Sequence, residues 1–106
     1  MEKLKGYQRQ YLKGLAHAMK PLVLIGAGGL SPTVVAALNE ALEKHELIKV
    51  KFNDFKGREE KRGIVAVIEQ AAGAEMVGMV GHIAIFYRRQ PDADKRRIEV
   101  PQRPPR

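Results

Sequence analysis

Three glycines in four positions, Gly26-Ala27-Gly28-Gly29, stand between a short apolar run and the pair Ser31-Pro32. Glycine lets a backbone turn sharply and lets a ligand come close to the chain. Serine followed by proline is a helix start, a hydroxyl N-cap and then the residue best suited to the first helical position. The helix that follows presents free N–H groups and the positive end of its dipole, so the segment is suited to a phosphate. A ligand-free strand-to-helix turn would use the same residues. Two phosphate-loop motifs fit poorly. The ATP type needs a lysine after the loop, and none stands nearby. The dinucleotide fingerprint fits Gly26 and Gly28, but Ser31 takes the third glycine position, and Glu46 or the later Asp54 would have to hold a ribose. A small dinucleotide-binding protein is therefore one alternative. The G-x-x-G form, Gly26 to Gly29, instead matches a clamp for a nucleic-acid backbone.

Charge favours the clamp. Nineteen Lys and Arg against twelve Asp and Glu give the 106 residues a net charge of +7, which points to a polyanionic partner. Arg9, Lys13 and His17 recur at i, i+4 and i+8, one stripe of a helix, and Lys20 follows at its exit. The stripe reads as leading toward the loop; a solvated face is the plainer reading. A protein-interaction module with a basic face is the second alternative.

Other chemistries find little support. With no cysteine there is no disulfide scaffold or thiolate. His17, His45 and His82 fall on three different predicted elements without ligand spacing, so no metal site is expected. No Ser–His–carboxylate or paired-carboxylate arrangement emerges, so neither enzymatic activity nor a cofactor is expected. No run approaches the ~20 apolar residues of a membrane span, and no apolar stretch follows the charged start as in a signal peptide. A cytoplasmic protein with no membrane partner, monomeric when free, is the expectation.

Elements must position these residues. Leu4, Tyr7, Tyr11, Leu12, Leu15 and Met19 fall at helical spacing and predict an amphipathic helix over 3–19, ended by Pro21. The unbroken apolar run Leu22 to Ile25 predicts a strand buried on both faces. A second helix runs from Ser31 to about Lys44 with Val35, Leu38 and Leu42 inward. Residues 47–53 alternate, Ile48, Val50 and Phe52 against Lys49, Lys51 and Asn53, predicting a half-buried strand with a basic outer face. A third helix spans about 59–72, with Ile64, Ile68 and Ala71 inward and Gly73 as its stop. Met76 to Val80 and His82 to Arg88 predict a hairpin turning at Gly81.

The order α-β-α-β-α-β-β predicts an α/β two-layer sandwich on a mixed four-stranded sheet. The domain is expected to span residues 1–89. Residues 90–106 hold four of the six prolines and only Ile98 and Val100 as large apolar groups, so they read as a flexible basic tail.

Leu12-Lys13-Gly14-Leu15-Ala16-His17-Ala18-Met19-Lys20-Pro21, the strand after it and Gly26 to Leu30 closely resemble the CRM domain, named for chloroplast RNA splicing and ribosome maturation. So do His45-Glu46-Leu47-Ile48-Lys49-Val50-Lys51, Gly81 and Phe86-Tyr87-Arg88. The stand-alone bacterial members are the YhbY-like proteins. The resemblance spans roughly residues 4–89. It implies an RNA-binding domain resembling the C-terminal half of translation initiation factor three, and association with precursors of the large ribosomal subunit in ribosome assembly. It also implies RNA contacts at Gly26, Ala27, Gly28 and Gly29 and at the basic first helix, Arg9, Lys13, His17 and Lys20. With Ala27-Gly28 as the inner pair of the loop, those contacts would come from backbone N–H groups. Aromatics are sparse and tryptophan is absent, so recognition of backbone and shape in structured RNA is expected.

Overall fold

The computed structural model describes residues 3–55 and 57–105; Met1, Glu2, Lys56 and Arg106 lie outside the described residues. The elements follow in chain order: α1 (Gly6–Ala16), β1 (Val23–Ile25), α2 (Pro32–His45), β2 (Leu47–Phe52), α3 (Arg58–Ala72), β3 (Glu75–Val80) and β4 (Ile83–Tyr87). A single 3-10 turn, Ala93–Lys95, follows. The α/β class and the element order are those the sequence predicts. The sheet runs β1-β2-β4-β3, with β1 parallel to β2 and the other two pairings antiparallel. Gly81, at φ 59°, makes the turn of the β3–β4 hairpin.

Period-two alternation divides the sheet residues between two cores. Ile48, Val50, Phe52, Ala84 and Phe86 face α2 and α3, where Leu38, Leu42, Val65 and Ile68 meet them. Leu47, Val77, Ile85 and Tyr87 face the other way and are covered by Leu4, Leu12 and Ala16, with Met19 packed alongside. The second core adds a layer to the expected two. Both faces of the sheet carry a layer, one the α2–α3 pair and the other α1 with the C-terminal segment, which covers its face only in part.

Several inward residues differ from the predicted ones. In α1 the helix is shorter than 3–19, and the buried stripe is Leu12 and Ala16; Tyr11 and Leu15 are exposed. In α3, Val65 and Ala72 are buried where Ala71 was expected, and Gly73 ends the helix in left-handed geometry. β1 is not buried on both faces. As an edge strand beyond the reach of α1, it leaves Leu22 53% and Leu24 54% exposed. On β2 the basic face is partly occupied: Leu47 is buried, and the Lys49 ammonium donates to the carbonyls of His17 and Met19 at 3.3 and 3.0 Å, closing the end of α1.

The segment after Arg89 is packed, in contrast to the flexible tail predicted from its composition. Ile98 and Val100 pack against the second core, and Gln90 is buried. The anchor is Glu46, 1% exposed, the residue after α2. Its carboxylate accepts the backbone N–H of Gln90 (3.0 Å), Arg97 and Ile98 (3.1 Å). Gln8 adds a bond from its side chain to the Pro101 carbonyl at 3.0 Å. Composition missed this because two apolar side chains and one buried acceptor suffice when the domain supplies the receiving surface. The same burial lifts the phenol of Tyr87 above the ordinary tyrosine value, and the carboxylate of Glu46 adds to that effect.

Candidate nucleic-acid interface

The glycine loop leaves the C-terminal end of β1. The Gly29 N–H donates to the Gly26 carbonyl at 3.0 Å, closing a turn with Ala27 and Gly28 exposed at its corners. Gly29 has φ +63°, and a Cβ there would lie 3.6 Å from the ring of Phe55. A side chain at that position is strained whatever the space. At Gly28 nothing lies within 4 Å of where a Cβ would be, so no internal contact demands glycine and an approaching group meets bare backbone. Ser31 caps α2, its hydroxyl accepting the Val34 N–H at 3.3 Å and its carbonyl the Val35 N–H at 3.0 Å. Among the described residues, the N–H groups of Ala27 and Gly28 make no such internal bond. The loop therefore offers exposed donors at a helix N-terminus, the arrangement suited to an anion.

The predicted cations are more dispersed than their sequence spacing implies. Arg9 is engaged: its guanidinium donates to the Leu4 carbonyl at 2.7 Å and pairs with the Glu75 carboxylate at 3.2 Å. Since Glu75 also accepts the Leu4 N–H at 3.0 Å, Arg9 fastens the chain before α1 to β3. Lys13 is exposed, and its stem crosses Gly78, where a Cβ would come within 2.9 Å of it. A glycine in the strand lets the helix residue lie flat there. His17, exposed, is the C-cap of α1, and Lys20 is exposed before β1.

The topology separates these groups from the loop. Lys13 lies over β3, at the opposite sheet edge from β1, and Lys20 enters the strand whose far end carries the loop. The stripe thus runs beside the sheet and does not lead directly into the loop. Two further cations, Lys51 and Lys61, lie outside the set that the sequence predicts. Lys51 is exposed on β2 next to Leu24, and period-two alternation was its signal in the sequence. Lys61 of α3 reaches the hairpin turn, its ammonium 3.0 Å from the Gly81 carbonyl and 3.3 Å from Nδ1 of His82. No local signal joins it to that turn 20 residues away.

The dinucleotide alternative loses its best acid. Glu46 precedes β2, at the opposite end of that strand from the loop, and is buried among backbone donors of the C-terminal segment. Asp54 does lie beside the loop, but its carboxylate accepts the Phe55 N–H within its own turn.

Comparison with known proteins identifies relatives of the chain. An "RNA-binding protein" of Haemophilus influenzae is 40% identical over 103 residues, covering 97% of this chain and all of the relative. "Probable RNA-binding protein PA4753" of Pseudomonas aeruginosa is 32% identical over 83% of this chain and 84% of its own. The solution structure of the hypothetical protein SAV1595 from Staphylococcus aureus superposes with a TM-score of 0.79 at 30% identity, covering 93% of this chain and all of that one. The model of the CRS1 / YhbY (CRM) domain matches residues 4–88, from the strap before α1 to the end of β4, and the chain belongs to that family.

Proposed function

We propose that this protein binds structured RNA, with ribosomal RNA of a large-subunit precursor as its target and ribosome assembly as its setting. The observation that carries the reading is family membership across the whole α/β domain, with a relative named as RNA-binding that matches end to end. The net charge of +7 and the exposed loop donors supply a physical means. In this reading the backbone of Gly26, Ala27, Gly28 and Gly29 receives a phosphate, and Lys13, His17 and Lys20 hold the neighbouring backbone. Arg9, paired with Glu75, contributes less of its charge than the exposed lysines do. The work is binding in the cytoplasm, with no bond made or broken.

Two variants and a salt series test it, using a large-subunit RNA fragment. With ~4–6 phosphates neutralised, log affinity should fall against log salt with a slope of about −3 to −5. Gly29→Asp adds a negative charge to the loop, and Lys13→Ala removes one cation; each should weaken binding while the protein stays folded. A slope near zero would contradict phosphate binding. Full affinity in a folded Gly29→Asp protein would remove the loop from the interface.

A further inference from the structure

One row of the sheet lies open on the α1 side. Leu24 of β1 pairs with Lys51 of β2, Lys51 with Ile83 of β4, and Ile83 with Val80 of β3. These four side chains share one face across the full width of the sheet. They have the same parity as Leu47 and Ile85, which α1 buries. Yet α1 ends at Ala16, and the last row is uncovered: Leu24 is 54% and Val80 65% exposed, Lys51 is exposed and Ile83 half-buried.

The ends of the row join the two candidate phosphate contacts. Leu24 stands two residues before Gly26, and Val80 stands two residues after Gly78, over which the Lys13 stem lies. Three interstrand steps of ~4.8 Å make the row about 14 Å wide. The row itself contains a lysine and no carboxylate, and the adjoining one contains Lys49.

We infer that this row is a platform for unpaired bases of an RNA strand that runs from the glycine loop toward Lys13. The inference rests on the RNA-binding reading above and adds that part of the bound RNA is single-stranded. Bases have apolar faces on a charged backbone. An aliphatic strip with a central cation and a phosphate contact at each end complements both. A second copy of this chain fits less well, since it would bring +7 against +7.

The test compares a short single-stranded RNA with an oligomer of equal length and charge from which the bases are removed. Wild type should bind the base-bearing strand about fivefold or more tightly. Leu24→Thr combined with Val80→Thr puts a β-branched, strand-favouring residue at both exposed positions, and should abolish that preference while leaving affinity for the abasic oligomer unchanged. Val80→Thr alone, the more exposed site, should reduce the preference in part and serves if the pair lowers the melting temperature. Lys51→Ala should weaken both oligomers alike. A preference that survives in a folded variant, or no preference in wild type, overturns the inference while leaving RNA binding standing. Wild type that binds neither oligomer nor the large-subunit fragment overturns the RNA-binding reading itself. A variant that changes only self-association marks the row as a face between copies and also overturns the inference.

Discussion

Glu46 joins a strained backbone to a satisfied side chain. Its φ of 61° with ψ of −37° lies where residues bearing a Cβ are rarely found, and it closes α2 by donating its N–H to the Leu42 carbonyl at 2.9 Å. From that position its carboxylate takes three backbone donors in an almost water-free place. Replacing it separates the two effects. Glu46→Gly relieves strain of roughly 1–2 kcal/mol but orphans three donors at roughly 1 kcal/mol or more each, so a net loss of about 2 kcal/mol is expected. Glu46→Gln keeps the strain and most of the contacts, losing mainly the acceptor for Gln90, and should cost about 1–2 kcal/mol. Urea midpoints of the two variants check the order; a Glu46→Gly protein as stable as wild type would mean that the latch carries no net stability. In the sequence, Glu46 was one acid among twelve, and counting from the glycine loop gave it a ribose to hold. Its partners lie 44 to 52 residues downstream, beyond the reach of any local pattern.

Elements with their own start, period and stop were legible. Ser31-Pro32 begins α2 and Gly73 ends α3 because capping and left-handed geometry are decided within a few residues. The alternation of β2 gave both of its faces. What depended on placement was not legible: that α1 covers the second face, that β1 lies at an edge with Leu24 open, and that β3 carries a bulge between Met76 and Gly78. The candidate loop was visible in sequence, while its separation from Lys13 follows from strand order alone. The C-terminal segment is the largest such case. Deleting residues 90–106 strips Ile98 and Val100 from the second core, opens that face to water and removes the three backbone donors of the Glu46 carboxylate. The expected cost is about 3 kcal/mol or more, a fall in melting temperature of at least ~10 °C by circular dichroism. An unchanged melt would mean that the domain ends at Arg89 after all.

Across the whole molecule the two ends of the sheet differ in kind. One carries the glycine loop, the hairpin turn and the open row; the other carries Glu46, Tyr87 and the packed C-terminal segment. Alkaline pH should act on the second end. The phenol of Tyr87 is held neutral above its ordinary value near 10.0, chiefly by burial. Its contribution to stability is complete below pH ~10 and falls as pH rises through the elevated value, because the unfolded chain ionises first. Urea midpoints between pH 9 and 11 should therefore decline, and less steeply in Tyr87→Phe; equal slopes would detach Tyr87 from the effect. The strap before α1 and the segment after β4 meet at this same end, where Leu4 is bonded to Glu75 and Gln8 to Pro101. A short peptide could bridge those two stretches, which makes the fold a candidate for circular permutation. For the same reason it could be grafted into a host protein by one end, as a plug-in module whose glycine loop projects away from the graft.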